Sequence, residues 1–276
     1  MNKWIFASNS SGEHISLAAH LSAYYQKHPY ASLGKEMLQN SMDAMADDKD
    51  NIILTFKLRE LENSDIPGFE DMKKRIIASK KSDEDSNDNA PGWYTRAENM
   101  FSQKKIPVLE IHDENTNGLK GPCKKGTGFF AFMKAQGISA DKGTGSGGSW
   151  GFGKNSILNL SCFNSFFVST KYIDDGKQIH YSMGKITLSS HELNGQRYTG
   201  SGYFGKNSDD DGPIPFEGKN EIPEEWLVRK NVGTSIFIIG FDDQPDWEIR
   251  LISALMQTNY AAMLREQAIV KINNKI

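Results

Sequence analysis

The pattern of apolar and polar positions along the chain predicts a mixed α/β protein. Apolar residues recur at helical spacing in three segments: 13–28, 32–47 and 246–267. Ser32 is the expected N-cap of the second helix. Strand-like apolar runs cover 51–60, 106–113, 165–172, 178–188, 234–241 and the final AIVKINNKI. This order predicts a two-layer α/β sandwich, in which helices pack on one face of a sheet.

The segments between these elements suggest how the domain is organised. We expect a single domain over 1–276, with an N-terminal helical segment at 1–30. Residues 61–105 are rich in charge around KKSDEDSNDNAPG, which predicts a surface insertion of one or two helices around a loop. Because the last strand-like run reaches the final residue without a turn, we also expect the chain to be the N-terminal part of a longer protein.

Composition and charge narrow the classes of partner. The net charge is −3 over 276 residues, so no overall field attracts nucleic acid or a membrane surface. The basic pairs are short and typical of a solvated surface. Apolar runs such as SIFIIGF are far shorter than the ~20 residues that span a bilayer. With two cysteines and no secretion signal, the chain is expected in a reducing compartment, the cytoplasm.

A polar stripe on the second helix is the first candidate for chemistry. Glu36, Asn40 and Asp43 in KEMLQNSMDAM are spaced i, i+4 and i+7, which places them within about 60° of one another on the helix. A carboxylate, an amide and a second carboxylate in line can offer a base and a metal ligand to one bound molecule. A solvated polar face is the competing interpretation.

Two strand ends add further candidates. Asp113 ends the strand IPVLEIHD, where a carboxylate can accept a hydrogen bond from an exocyclic amine such as that of adenine. Gly233 and Thr234 begin a later strand and place a small residue beside a hydroxyl. In isolation, an aspartate at this position is more often a turn residue.

A glycine-rich segment supplies the last candidate. Eleven glycines lie within 114–156, and GGSWGFGKNS leads into a helix-like NSILNLS. The run from Gly148 to Lys154 approaches the P-loop spacing, but Asn155 replaces the required hydroxyl residue and no strand precedes the loop. We therefore favour a mobile lid over 138–153, hinged by glycines, in place of a P-loop.

The order of these four motifs resembles the ATP-binding domain of the GHKL superfamily, whose Bergerat fold is shared by gyrases, ninety-kilodalton heat-shock chaperones, histidine kinases, MutL proteins and MORC ATPases. KEMLQNSMDA is similar to the first motif of the chaperone, MutL and MORC members, and GSWGFGKNS to their third motif. The resemblance covers about 30–275. It implies a mixed, mostly antiparallel sheet with helices on one face, and ATP and Mg²⁺ as the bound ligands.

The resemblance also implies roles for individual residues. Glu36 would be the base that polarises the attacking water, Asn40 would bind both ATP and Mg²⁺, and Asp43 would support the ATP site. Asp113 would bind the adenine amine, with Thr234 acting through a water molecule.

The lid and the second motif complete the implied ATP site. The lid residues expected to contact the phosphates are Gly148, Trp150, Gly151, Phe152, Gly153 and Lys154. The second motif departs from the family's D-x-G-x-G, because Asn115 stands where the first glycine belongs and Gly118 comes late. Both residues are still expected to contact ATP, although the geometry of this turn must differ from the family pattern.

The function expected from the resemblance is Mg²⁺-dependent ATP binding with slow hydrolysis, in which lid closure and ATP-dependent homodimerisation drive an attached effector domain or a partner protein. Genome maintenance or antiviral defence in bacteria is compatible with it. The family's γ-phosphate Lys or Arg comes from a following domain, so hydrolysis by these residues alone should be weak. The alternatives are a non-hydrolysing nucleotide-gated module and a histidine-kinase catalytic domain, against which Glu36 argues.

Overall fold

A computed structural model describes residues 3–10, 12–20, 28–85, 92–135 and 154–273. These ranges form an α/β fold built around a large sheet. The strands are β1 Ile5–Ser8, β2 Ile52–Glu62, β3 Lys105–Glu114, β4 Ser161–Asp174, β5 Lys177–Thr187, β6 His191–Leu193, β7 Gln196–Phe204, β8 Lys206–Ser208, β9 Gly212–Ile214, β10 Phe216–Glu217, β11 Gly233–Phe241 and β12 Ala268–Ile272. The α-helices are α1 Leu17–His20, α2 Pro29–Asp43, α3 Phe69–Asp85, α4 Trp93–Phe101, α5 Gly128–Met133, α6 Lys154–Leu158 and α7 Trp247–Leu264.

The sheet is mixed and mostly antiparallel, as the sequence predicts. Its strand order is β1-β7-β5-β4-β11-β3-β2-β12, with β6 added to β7 and β10 added to β5. The pairing of β12 with β2 is parallel, whereas the other pairings within this sheet are antiparallel. Strands β8 and β9 form a separate two-stranded ribbon. Strands β3, β4, β5 and β11 agree with the predicted apolar runs, since most of their side chains are buried on both faces of the sheet. The nine-residue β7 was not among the predicted strands.

Helices cover both faces of the sheet, which corrects the prediction of helices on one face. Alternate residues of one strand separate into two cores: Phe166 packs with α2, α5, α6 and α7, while Phe167 packs with α3, α4 and the N-terminal segment. Strand β11 divides in the same way at Phe237 and Ile238. The period of two along each strand therefore supplies apolar surface to a helical layer on either side.

The segment 61–105 differs from the predicted surface insertion in its burial. The two expected helices are present as α3 and α4, but one side of each is buried in the second core, with Phe69 4% and Trp93 2% exposed. The charged side chains that dominate the composition occupy the outer sides. Because charged residues dominate the composition, the amphipathic pattern by which this segment packs on the sheet was not recognised from the sequence.

Helix α2 carries the polar stripe and begins earlier than predicted. It starts at Pro29 after His28, without a side-chain cap, and Ser32 is buried within its first turns. Ser32 is therefore not the N-cap. Proline at the helix start already provides the helical φ and has no N–H that needs an acceptor. Helix α1 includes part of the predicted 13–28 helix, of which 21–27 lie outside the described residues. None of the described helices is long and apolar enough to cross a membrane.

Candidate functional site

A narrow pocket lies between α2, the ends of β3 and β11, and the segment leading to α5. Its cavity is about 50 Å³. Apolar side chains provide most of its wall: Met37, Ala44, Leu54, Ile111, Leu119, Phe132 and Ile236. Its polar lining comes from Asn40, Ser41, Asp113 and Thr234, with Gly118 completing the wall. An apolar cavity with a few convergent polar groups is the usual form of a small-molecule site.

Asp113 is held in this pocket by the start of the neighbouring strand. Its Oδ1 accepts hydrogen bonds from the backbone N–H of Thr234 at 2.6 Å and from the hydroxyl of Thr116 at 2.7 Å. Among the described residues, none donates a hydrogen bond to the other oxygen, Oδ2. The carboxylate is thus fixed through one oxygen, while the other can accept a hydrogen bond from a ligand.

The setting of Asp113 also changes its acidity. Although the residue keeps some exposed surface, burial raises the pKa of the carboxyl group. The nearby Arg229 guanidinium and the hydrogen bond from Thr234 act in the opposite direction but do not cancel the effect of burial. A raised pKa from desolvation in a pocket is typical of residues with a functional task.

The raised pKa predicts a pH-dependent contribution to stability. A carboxyl group that binds its proton more tightly in the folded state stabilises the fold at low pH, and this stabilisation is lost as the pH rises through the folded-state pKa. The difference in unfolding free energy between wild type and Asp113→Asn should therefore shift in favour of the variant as the pH increases. Urea denaturation over a pH series measures this difference. A constant difference, or one that shifts towards the wild type, would contradict the raised pKa.

Gly233 allows the two strand ends to meet. Its φ is +133°, and a Cβ placed there would lie 2.6 Å from atoms of both Asp113 and Arg229. A larger residue would therefore push Thr234 away from the carboxylate that its N–H binds. The predicted pair of a small residue and a hydroxyl thus has a physical reason at this position.

We expect Gly233→Ala to lower the free energy of unfolding by more than left-handed strain alone. Strain of that kind costs about 1–2 kcal/mol, and the overpacking against Asp113 and Arg229 adds roughly 1–3 kcal/mol. Gly176 is a matched control, because it has a φ of +77° and open space around its Cβ position. Chemical denaturation of both alanine variants gives the comparison. Equal losses would mean that Gly233 does not need its close approach to Asp113.

The second motif uses its residues differently from the expectation. Asn115 adopts a φ of 63°, its side chain donates to the backbone oxygen of Asn51 at 3.0 Å, and it does not line the pocket. Gly118 does line the pocket at a φ of 70°, where a Cβ would lie 2.6 Å from the carbonyl oxygen of Lys171. Asparagine tolerates the left-handed conformation better than most residues, which explains how it can replace a glycine at this turn.

The polar stripe of α2 reaches the pocket through Asn40. The Nδ2 of Asn40 donates to Glu36 Oε1 at 3.1 Å, which leaves the amide oxygen as the end able to ligate a cation. Glu36 lies one helical turn before Asn40, beside the pocket lining. Asp43 is exposed and accepts from Gln39 at 2.9 Å, outside the pocket lining.

The predicted lid lies mostly outside the described residues. Gly148, Trp150, Gly151, Phe152 and Gly153 fall there, and so does the predicted lid segment 138–153 as a whole. Lys154 begins α6, and its side chain is likewise not described. The expected phosphate contacts of these residues therefore stay predictions.

Arg229 and Thr116 support Asp113 and were missed by sequence reasoning. Arg229 is 8% exposed, donates to the backbone oxygen of Asp113 and donates to Ser235 Oγ at 2.9 Å. Thr116 follows Asp113 by three residues, a spacing common in side-chain turns, so a signal was available for it. Arg229 lies in the segment before β11, and no short spacing in the sequence connects it with Asp113.

The described residues contain no group of three or more His, Cys, Asp or Glu side chains arranged to hold a metal ion. A scan against protein-family models finds no match, and neither does a search of the curated proteins. Mg²⁺ often keeps several waters and takes one or two protein ligands beside substrate phosphates, which fits a single amide ligand such as Asn40.

Proposed function

We propose that the chain binds ATP with Mg²⁺ in the pocket between α2, β3 and β11, and hydrolyses it slowly. The observation that carries the proposal is Asp113, whose Oδ1 is fixed by two donors while Oδ2 has no described donor. An adenine exocyclic amine supplies the N–H that this oxygen requires. Thr234 lies beside it in the lining and can hold a water molecule against the base.

The pocket must widen to admit a purine, because about 50 Å³ accommodates only a few water molecules. Its wall is suited to this, since Met37 and Leu119 are flexible side chains and methionine readily adapts to a ligand. The apolar wall would cover the faces of the ring. Asp113 would recognise the edge of the adenine ring that carries the exocyclic amine.

Asn40 and Glu36 support the assignment of the phosphate end. The Asn40 amide oxygen would ligate Mg²⁺, which would neutralise the charge of the phosphate oxygens when bound. Glu36 would orient and deprotonate the attacking water as general base. The same proposal includes closure of 138–153 over the phosphates and ATP-dependent homodimerisation. These changes would drive an attached effector domain or a partner protein. The proposal extends to a role in bacterial genome maintenance or antiviral defence.

A nucleotide-gated module without hydrolysis is the second candidate, and one contact favours it. Glu36 Oε1 accepts a hydrogen bond from Asn40, so this oxygen is engaged by the amide that would bind the metal. Calorimetry with ATP and phosphate release under excess Mg-ATP separate the two functions. Binding with release supports the ATPase, binding without release supports the module, and absence of binding rejects both.

Asn40→Ala should weaken ATP binding about tenfold in the presence of Mg²⁺, because one hydrogen-bonding or ligand group is lost. The loss should be smaller in EDTA, where no metal needs the amide oxygen. Calorimetry in both buffers measures the two affinities, and Gln39→Ala, at the exposed neighbouring position, is the control. An equal loss with and without metal would remove Asn40 as the Mg²⁺ ligand.

A further inference from the structure

Helix α7 carries apolar side chains on its outward side as well as on its buried side. The buried side packs in the same core as α2 through Trp247, Leu251, Ala254 and Leu255. Of the eight large apolar side chains that are exposed in the described part of the chain, five lie on this helix: Ile249, Ile252, Met256, Tyr260 and Leu264. Their exposed fractions range from 38% for Ile252 to 68% for Ile249. We call these five residues the outer stripe of α7.

The outer stripe follows the helix over most of its length. Its members are separated by three or four residues, as residues on one side of a helix are. The helix is kinked at Asn259, where φ is −134°, but Tyr260 and Leu264 remain exposed beyond the kink. The outer stripe therefore extends over about 22 Å. The solvent side of a surface helix is normally polar, and large exposed apolar patches usually mark interaction sites.

The outer stripe is nearly symmetric about Met256. Ile252 and Tyr260 lie four residues to either side of Met256, while Ile249 and Leu264 lie seven and eight residues away. A two-fold axis requires a patch that is complementary to itself, and two antiparallel copies of this stripe satisfy that condition. Ile249 would lie opposite Leu264 of the second copy. Met256 would meet its own counterpart at the axis, where a flexible methionine can adapt its packing.

The charges of α7 favour the antiparallel direction. Residues 243–250 carry three carboxylates and one cation, namely Asp243, Asp246, Glu248 and Arg250. The other end of the helix carries the exposed Arg265, followed by Glu266. A parallel pair would bring two acidic starts together, whereas an antiparallel pair separates them and places each start near Arg265 of the other copy. The helix dipoles also favour antiparallel neighbours.

We propose that the outer stripe is the contact surface of a homodimer, in which the α7 helices of two copies pack antiparallel about an axis near Met256. The exposed surface of the stripe is roughly 500 Å² in one copy, taking about 150–250 Å² for a large side chain. Two copies would bury about 1,000 Å², which reaches the lower limit for a specific interface. This dimer needs no nucleotide and is separate from the ATP-dependent homodimer proposed above, because it uses neither the pocket nor residues 138–153.

Sedimentation velocity of the nucleotide-free chain tests the dimer. The wild type should dimerise with increasing concentration between about 1 and 100 μM, as expected for a small interface. Met256→Glu would place two carboxylates face to face at the axis and should raise the dimer Kd at least about tenfold. Ile77→Glu is the matched control, because Ile77 is 52% exposed but lies on α3, in the other helical layer. It should leave the Kd unchanged.

Cysteine cross-linking tests the direction of the two helices. The native cysteines, Cys123 and Cys162, are buried and should not react. Met256→Cys should give a disulfide-linked dimer on mild oxidation, because its two thiols meet at the axis. Ile249→Cys alone should not, since an antiparallel pair separates the two thiols by about 22 Å. Mixing Ile249→Cys with Leu264→Cys should give the cross-linked heterodimer.

Several results would overturn the proposal. One is a wild-type chain that stays monomeric, or that dimerises only with Mg-ATP. Another is equal dimerisation of Met256→Glu and wild type, which would assign the contact to a different surface. Self-cross-linking of Ile249→Cys would show a parallel pair. A monomer that binds phosphatidylcholine vesicles, and loses this binding in Met256→Glu, would assign the outer stripe to a membrane surface instead.

Discussion

Replacing Glu36 by alanine should stop ATP turnover while leaving ATP affinity almost unchanged. A general base contributes about 10²–10⁴-fold to the rate, and Glu36 lies one turn from the pocket residue Asn40 without lining the adenine end. Because the base acts on water and contacts the nucleotide little, the loss should appear in kcat. Phosphate release gives the rate, and calorimetry gives the affinity, in a preparation whose wild-type form hydrolyses ATP.

The control for Glu36 is Lys35→Ala, the exposed charged neighbour on the same helix, which should keep both rate and affinity. If Glu36→Ala hydrolyses ATP at the wild-type rate, the proposed base is wrong, and Glu36 serves no catalytic role beyond its hydrogen bond with Asn40. If the variant loses ATP affinity instead, the hydrogen bond between Glu36 and Asn40 serves the binding site, and the non-hydrolysing module becomes the better description.

Replacing Asp113 by alanine should reduce ATP affinity by about 5- to 150-fold. The adenine amine would lose its acceptor, and a buried polar group left unpaired costs about 1–3 kcal/mol. The same substitution leaves the N–H of Thr234 and the hydroxyl of Thr116 without their acceptor. We therefore expect a lower free energy of unfolding as well, measured by urea denaturation alongside the calorimetric affinity.

Asp113→Asn separates the two effects. Its amide oxygen can still accept from Thr234 and Thr116, so much of the stability should be retained, but its NH₂ would face the adenine amine with a second donor. ATP affinity should fall while the fold persists. Unchanged affinity in both Asp113 variants would remove adenine recognition from this pocket.

Most of the long strands were predictable from sequence, but their pairing was not. Each of β3 and β11 is an apolar run that can be recognised locally, and the candidates Asp113 and Thr234 stand at their ends. What places them together is the antiparallel register in which Ser235 pairs with His112. That register depends on contacts more than a hundred residues apart, which no local pattern contains.

The differences between the sequence predictions and the structure also have physical causes. Charge counts over 61–105 concealed the apolar sides of α3 and α4, because composition averages over the two sides of an amphipathic helix. Strands β6, β8, β9 and β10 have only two or three residues each, too few for a period-two pattern to emerge. Asn115 is expected to contact ATP because of its place in the motif, and this contact stays a prediction. In the structure its left-handed backbone and its hydrogen bond to Asn51 serve the turn.

The most direct test of adenine recognition is calorimetry of the wild-type chain with Mg-ATP and with Mg-ITP. The two nucleotides differ at the edge that Asp113 should read: adenine offers an amine to Oδ2, whereas hypoxanthine presents a carbonyl oxygen to a carboxylate. ATP should bind at least about tenfold more tightly than ITP, as expected when a hydrogen bond is replaced by two facing acceptors. Equal affinities, or no binding of ATP, would contradict the assignment of this pocket to adenine.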